Sequence, residues 1–437
     1  MAMPAAGVRR DHSSMCCVKH ALRDLLGKYL YTALCFFLLE KNAMFTTESF
    51  CNLVWGTSYL KVLRKISKED YNEFEIPKKG GTRTINYLDR QSSLWKLQRE
   101  LLNKYLVKQD LPICVKGFKK GENYKSFLSE HIGAEFFLRI DIANFFPSIK
   151  ISSVKRELSL IIRCDNDAEE EKLLDLIGEI VTLDGRLPQG ASTSPVISNL
   201  VMARIDQRIT KYCQVFNVQY TRYADDLLFS SNTFDFENKK WFLKKIKYIL
   251  KSQELSLNYS KIRYGHKEII LNGYVISNNE IRLSRNRLFD IRQIVKFTKE
   301  NVPLIRSIGL DEFLSKANKL PLRHRNLKEY PFKSIFQFSQ YLCGYRAYLI
   351  SMVDTNCLQT SFQKELQRLI RKIEAQTSVY KGYKQDKIEM RGDRAEMSDF
   401  PLYLNTVAGG LDRRDQTIGG FSFVVKIYAV PVIEIIG

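Results

Sequence analysis

Two adjacent carboxylates, Asp225 and Asp226, sit inside Tyr220-Thr221-Arg222-Tyr223-Ala224-Asp225-Asp226-Leu227-Leu228-Phe229-Ser230, a run that otherwise reads as a buried β-hairpin. Ionised carboxylates leave water only at a steep cost, so a pair in such a place points to a divalent cation. Taken alone, the pair is equally well explained as a turn with both acids facing water. A third acid, Asp141, closes a short apolar strand in Leu138-Arg139-Ile140-Asp141-Ile142-Ala143-Asn144-Phe145-Phe146-Pro147-Ser148-Ile149. Between the acidic segments lies Leu187-Pro188-Gln189-Gly190-Ala191-Ser192-Thr193-Ser194-Pro195, a turn that leads into an apolar helix and lets backbone approach a flat ligand. Oxygen-only donors with no His/Cys cage suit magnesium, which keeps several waters and is shared with substrate phosphates.

Other elements must hold these segments in place. Ile76-Pro77-Lys78-Lys79-Gly80-Gly81-Thr82-Arg83-Thr84-Ile85 predicts two short strands around a Gly-Gly turn, with Lys78, Lys79 and Arg83 on one hairpin able to reach an anion. Thr46 or Thr47 is a candidate helix cap. Ser93 to Leu106 carries Leu94, Leu97, Leu101, Leu102 and Leu106 close to a 3.6 period, as an amphipathic helix requires. His131 has no ligand partner at metal spacing, so a structural hydrogen bond is expected of it. Phe242 to Leu250 reads as a basic amphipathic helix. From Arg282 to Lys333 the chain is rich in Lys and Arg, with Leu288, Ile291, Ile294 and Val295 at helical spacing, as a helical unit gripping a duplex by its phosphates would be. A charged helix through Lys372, a polar stretch with Tyr380, Tyr383 and Arg391, and an apolar end from Phe421 to Ile436 complete the chain.

In order and flanks, the segments around Asp141, Pro188-Gln189-Gly190 and Tyr223-Ala224-Asp225-Asp226 resemble the palm of a reverse transcriptase. The resemblance runs from about Tyr71 to Leu349 and implies an α+β right-hand polymerase: fingers, a ferredoxin-like palm with an antiparallel sheet, a helical thumb and a C-terminal extension. The expected boundaries are 1–43 for an N-terminal extension, 44–135 fingers, 136–281 palm with a fingers insertion, 282–352 thumb and 353–437 extension. Asp141, Asp225 and Asp226 are implied as the catalytic acids, and these three with Ile142 as the metal-binding set. Two Mg2+ ions are expected, with Mn2+ as the alternative. The dNTP would meet Lys78, Lys79, Arg83, Phe146, Gln189, Gly190 and Lys261. Phe146 would stand against the 2′ carbon and exclude a 2′ hydroxyl, whereas Phe145 better suits core packing. Lys261 would assist proton delivery to pyrophosphate, Gly273 and Tyr274 would form a primer grip, and Arg282, Arg285, Arg287 and Arg292 would bind nucleic acid.

Within the family the chain looks like the short bacterial enzymes, the retron and defence-associated reverse transcriptases. Where retron enzymes carry an Asn-Ala-x-x-His block and a Val-Thr-Gly block, this sequence has Phe127-Leu128-Ser129-Glu130-His131 and Leu271-Asn272-Gly273. Those departures favour a defence-associated RNA-directed DNA polymerase that uses a dedicated non-coding RNA against phage. The alternatives are a retron enzyme making RNA-linked single-stranded DNA, a template-independent or protein-primed polymerase using Tyr380 or Tyr383, and a nucleic-acid-binding scaffold with a relic palm. A group II intron maturase is disfavoured, because the tail carries no zinc-type Cys/His cluster.

Composition agrees with a polyanion partner. The 437 residues include 68 Lys+Arg against 48 Asp+Glu, a formal net charge of +20. The expected partners are an RNA template or non-coding RNA, a DNA product, dNTPs and a second copy in a homo-oligomer, with no membrane. The most apolar stretch, Tyr29 to Leu39, is shorter than the ~20 residues a bilayer span needs. Nine scattered cysteines without a Cys-x-x-Cys pair suggest packed thiols in a reducing, bacterial cytoplasm.

Overall fold

The computed structural model describes residues 44–78, 81–277, 280–354 and 360–380. The first forty-three residues, including Tyr29 to Leu39, lie outside that description, as do Lys79, Tyr383, Arg391 and Phe421 to Ile436. Helix α1 (Thr47–Trp55) begins at a reciprocal cap, in which Thr46 Oγ1 accepts from the Ser49 amide at 3.1 Å and Ser49 Oγ accepts from the Thr46 amide at 2.9 Å. After α2 (Tyr59–Leu63), strands β1 (Tyr71–Lys78) and β2 (Gly81–Leu88) form the expected antiparallel hairpin, in register from Tyr71↔Leu88 to Lys78↔Gly81. Helix α3 (Ser93–Lys104) buries Leu94, Leu97, Leu101 and Leu102, and Leu106 is buried in the 3-10 turn that follows.

The central sheet is built on short, largely buried strands. After α4 (Tyr124–Ser129) comes β3 (Phe136–Asp141), then α5 (Phe145–Ser148), α6 (Ile151–Leu158), α7 (Asp167–Val181) and α8 (Ser194–Gln214). Strands β4 (Gln219–Tyr223) and β5 (Asp226–Ser231), helix α9 (Trp241–Lys251) and strand β6 (Arg263–His266) complete the unit. The sheet order is β4-β5-β3-β6 with every pair antiparallel, the order of a ferredoxin-like β-α-β-β-α-β unit. Leu138, Ile140, Leu227 and Phe229 point into one core, shared with the fingers helices and α8. Phe137 and Leu228, of opposite parity, point into a second core shared with Phe127 and the thumb. Because β5 is covered on both faces, it reads as an unbroken apolar run rather than an alternating one.

The thumb-side core joins a small sheet to helices. Strands β7 (Ile269–Leu271), β8 (Tyr274–Ile276) and β9 (Ile281–Leu283) lead into α10 (Arg285–Asn301), the short α11 (Ile305–Ile308), α12 (Leu310–Ala317) and α13 (Ile335–Met352). Of the extension expected from 353 onward, α14 (Ser361–Tyr380) is described, and its Phe362, Leu366, Leu369 and Ile373 are buried in this same core. Spacings of three and four put those four residues on one helical face, which seats α14 against the thumb. The ion pairs Arg346–Glu374 at 2.5 Å and Arg292–Glu365 at 2.6 Å lie at its rim, where such pairs contribute about 0–1 kcal/mol each. Among the described residues no helix is long and apolar enough to cross a membrane.

Candidate active site

Sheet register sets the acids beside one another. Asp141 is the last residue of β3 and lies directly opposite Asp226, the first residue of β5, while Asp225 occupies the two-residue turn between β4 and β5. The Ile142 amide donates to the Asp225 carbonyl at 3.1 Å, and the Asn258 amide donates to the Asp141 carbonyl at 2.8 Å. The backbone at Asp141 is therefore tied on both sides. Lys261 Nζ lies 3.0 Å from Asp141 Oδ2. Arg139, two residues before Asp141 and on its face of the sheet, sends Nε and Nη2 to Asp226 Oδ1 at 2.9 and 2.7 Å.

These acids feel one another's charge. Burial, then the carboxylates of Asp226 and Asp141, push the Asp225 carboxyl up to about 7. Asp226 is raised by burial too, against the opposing pull of Arg139. His131 behaves as the sequence leads one to expect. It is buried, with Nδ1 2.7 Å from Ser230 Oγ and Nε2 2.7 Å from Thr221 Oγ1, and burial lowers its pKa to about 3. It is a neutral link between β4 and β5.

The turn itself is costly and braced. Ala224 has φ +54, in the left-handed region that costs an L-residue about 1–2 kcal/mol. Arg222, fully buried, donates from Nη1 to the Ala224 carbonyl at 3.0 Å and is held bidentate by Asp206, with Nη2 to Oδ2 at 2.7 Å. Tyr220 Oη donates to the same carboxylate at 2.8 Å. From the other side Gly117 presses its backbone on the turn: a Cβ there would sit 2.6 Å from the Ala224 nitrogen. Asn199, on the helix after the Pro-Gln-Gly turn, fixes Gly117 by donating to its carbonyl at 2.9 Å.

Of the residues expected to meet the nucleotide and their neighbours, Phe145 is buried in the core and Phe146 is partly exposed, its ring 6.2 Å from that of Phe118. Phe118 stands 6.2 Å from the Tyr223 ring as well, so an aromatic row runs from Phe146 to the acidic turn. Gly190 adopts φ +131, a conformation essentially reserved for glycine, and the Gln189 carbonyl accepts from the Asn86 amide at 2.8 Å. That bond joins β2, which carries a partly buried Arg83, to the Pro-Gln-Gly turn. Lys78 ends β1 opposite Gly81.

The residues expected to hold the primer end and the duplex divide. Asn272 and Gly273, at φ +47 and +82, form the two-residue turn between β7 and β8, with Tyr274 opposite Leu271. The Tyr274 ring packs 5.2 Å from Tyr124 and 5.8 Å from Tyr348. Arg285 is exposed at the start of α10, Arg282 is partly buried near Glu280, and Arg292 pairs with Glu365. Arg287, expected to meet nucleic acid, is corrected. It is 6% exposed, donates to the Asn272 carbonyl at 3.1 Å and to Tyr348 Oη at 3.2 Å, and lies over the rings of Tyr274 and Tyr348. The physical reason is Gly273, where a Cβ would stand 2.3 Å from Arg287 Nε, so the missing side chain makes room for the guanidinium.

Among the described residues, no three His, Cys, Asp or Glu side chains stand together as a formed metal cage. Asp141 and Asp226 are drawn to Lys261 and Arg139. The donor set nevertheless fits magnesium: carboxylate oxygens from two neighbouring strands and their turn, with Asp225 raised by burial and by the two acids beside it, and the Ile142 carbonyl next in the chain.

Residues 76–276 match the family described as "Reverse transcriptase (RNA-dependent DNA polymerase)". Residues 76–276 are thus a reverse transcriptase domain. The chain is 29% identical over 231 residues to the Retron Ec86 reverse transcriptase of Escherichia coli, covering 51% of this chain and 68% of that one. It is 29% identical over 175 residues to the Retron Mx65 reverse transcriptase of Myxococcus xanthus, covering 37% and 40%. With the Retron Ec73 reverse transcriptase of Escherichia coli it shares 34% over 175 residues, covering 38% and 55%. The chain thus spans between 40% and 68% of the length of these relatives. Around the acids, the residues to which sequence reasoning gave no role of their own are Arg139, Arg222, Asp206, Gly117, Phe118 and Asn272. Arg139 and Arg222 carried a signal, each a charge inside a strand of otherwise buried type.

Proposed function

We propose that this chain copies RNA into DNA by two-metal nucleotidyl transfer, with Asp141 and Asp225 as the shared ligands and Asp226 supporting them. The observation that carries the reading is the register that sets Asp141 opposite Asp226, with Asp225 in the adjoining turn. When bound, magnesium supplies Lewis-acid activation of the primer 3′ hydroxyl and charge stabilisation at the α-phosphate. The protein's own residues do the rest. Asp141 and Asp225 present oxygens to the ions, and the Ile142 carbonyl completes the set. Phe146 stands where a 2′ hydroxyl would have to fit, which makes DNA the product. Lys78, Lys79 and Arg83 meet the triphosphate from the fingers hairpin, while Gln189 and Gly190 offer backbone to the flat base. Lys261 delivers a proton to pyrophosphate from Nζ, and its 3.0 Å approach to Asp141 supports that role. Gly273 and Tyr274 steady the primer end, and Arg282, Arg285 and Arg292 lie along the basic thumb.

The template in this reading is a dedicated non-coding RNA and the setting is antiphage defence in the bacterial cytoplasm, motivated by the replaced residues at Phe127–His131 and Leu271–Gly273. A second reading, RNA-linked single-stranded DNA of the retron type, is favoured by the names of the relatives. Primer extension on an RNA template with dNTPs, with and without Mg2+, tests the chemistry. Asp225→Ala with Asp226→Ala must abolish addition while the circular dichroism spectrum stays that of the parent, and surviving synthesis overturns the assignment. Sequencing of co-purified nucleic acid separates the two settings: a branched RNA–DNA species supports the retron reading, one dedicated RNA without attached DNA supports the defence reading, and random cellular RNA contradicts both.

A further inference from the structure

Both carboxylate oxygens of Asp226 are occupied, and by different parts of the chain. Oδ1 takes the Arg139 fork, and Oδ2 accepts from Asn272 Nδ2 at 3.1 Å. Arg139 Nη2 also donates to Asn272 Oδ1 at 2.9 Å, so Asp226, Arg139 and Asn272 close a ring of hydrogen bonds in which a flipped Asn272 amide would lose both contacts. Asn272 reaches this position because it begins a two-residue turn with φ +47, a conformation that Asn tolerates better than most residues.

The same residue faces the thumb through its backbone. Its carbonyl accepts from Arg287 Nη2 at 3.1 Å; Arg287 Nη1 donates to Tyr348 Oη at 3.2 Å. Arg287 belongs to α10 and Tyr348 to α13. The Ser284 amide, at the head of α10, donates to the Gly273 carbonyl at 2.8 Å. An unbroken set of short polar contacts thus runs from two thumb helices, through one two-residue turn, to an acid of the polymerase site. Contacts of this kind matter for function only if the elements they join move one another, which must be measured as coupling rather than inferred from adjacency.

We propose that Asn272 is a positioning residue that ties the seating of the thumb to the orientation of Asp226, and through Asp226 and Arg139 to the neighbouring catalytic acids. The inference deepens the polymerase reading above and rests on it for its kinetic consequence. A thumb drawn onto a primer–template pulls on Arg287 and so on the Asn272 turn, and the Asn272 amide passes that displacement to Asp226. Arg139 and Asn272 together keep Asp226 turned toward the sheet, which leaves Asp141 and Asp225 as the acids open to substrate-bound cations.

The test uses the full chain and Asn272→Gly, which removes the amide yet keeps a residue at ease with positive φ. Under the proposal the variant keeps the parent's circular dichroism spectrum and binds primer–template with the parent's Kd, while kcat for single-nucleotide addition falls about tenfold, in the range that outer-shell partners command. Asn272→Asp, which accepts from Arg139 but cannot donate to Asp226, is at least as impaired. Tyr348→Phe, which loses only the hydroxyl, lowers kcat in the parent and lowers it no further in Asn272→Gly, because the side chain that relays the thumb's position is already gone. Additive effects of Asn272→Gly and Tyr348→Phe, a Tyr348→Phe variant with the parent's kcat, or an Asn272→Gly defect confined to primer–template binding each overturn the coupling. Should the parent itself add no nucleotide, the polymerase reading fails first and separately. Hydrogen exchange over Tyr223–Leu228 without nucleotide then decides the linkage: faster exchange in both Asn272→Gly and Tyr348→Phe supports it, and parent-like exchange in either refutes it.

Discussion

Asp225→Asn removes one charge from a crowded site while preserving its shape, and the structure gives the sign and size of the consequence. Burial, Asp226 and Asp141 raise the folded-state value of this carboxyl from 3.8 to about 7. The folded chain therefore holds the proton more tightly than the unfolded chain, so this group's contribution to stability falls as pH rises from about 4 to about 7 and stays lost above that. A rise from 3.8 to about 7 corresponds to about 4 kcal/mol. The turn is partly open to water, and solvent screening reduces this to about 1–2 kcal/mol. In metal-free buffer at low salt, urea unfolding of Asp225→Asn should show a stability advantage over the parent that is smallest near pH 4, grows to about 1–2 kcal/mol near pH 7 and then levels off, with an unchanged m value. The same variant should be dead in nucleotide addition. An advantage that shrinks with rising pH, or a variant less stable than the parent near pH 8, would refute the idea that burial, reinforced by the two neighbouring acids, penalises the charged form of Asp225.

Three further outcomes follow from the same geometry. His131, neutral in the fold with its pKa lowered to about 3, makes stability fall as pH drops below about 6.5, where the unfolded chain takes up a proton and the folded chain does not. His131→Gln should flatten that acid limb in urea titrations, at a cost of about 1–3 kcal/mol near pH 7 from disturbed hydrogen bonds to Ser230 and Thr221. Gly117→Ala places a Cβ 2.6 Å from the Ala224 nitrogen, so thermal unfolding should report a loss of about 1–3 kcal/mol, and kcat should fall while primer–template binding, read by fluorescence anisotropy, holds. Phe146→Ala should admit ribonucleotides, seen as extension with rNTPs that the parent refuses; unchanged discrimination would move the sugar gate elsewhere.

What the sequence made legible was local. The acids announced themselves because charge stood in runs that otherwise belong in a core, and their strands followed from those apolar runs, as the β1–β2 hairpin did from its Gly-Gly turn. His131 was readable as structural because it had no ligand partner at metal spacing. The residues that brace the site were hidden by distance along the chain. Asp206 meets Arg222 across 16 positions and Asn272 meets Asp226 across 46, and such partners are created by helix packing and strand register rather than by any local pattern. Gly117 carried no mark of the turn it supports, since its role is fixed by what lies against it. Arg287 shows the opposite error. One arginine among many basic neighbours invites a phosphate-binding role, and only the space above Gly273, invisible in a one-dimensional reading, turns it inward. Helix α14 likewise looked like part of a separate tail until its apolar face was seen to join the thumb core.

The most direct test of the central claim is an anomalous diffraction measurement on crystals of the full chain with primer–template, a non-hydrolysable dNTP and Mn2+. The account predicts two manganese peaks about 4 Å apart, both within ligating reach of the Asp141 and Asp225 carboxylates, as two-metal phosphoryl-transfer sites require. Peaks away from these acids, or a nucleotide bound with both carboxylates facing elsewhere, would contradict it.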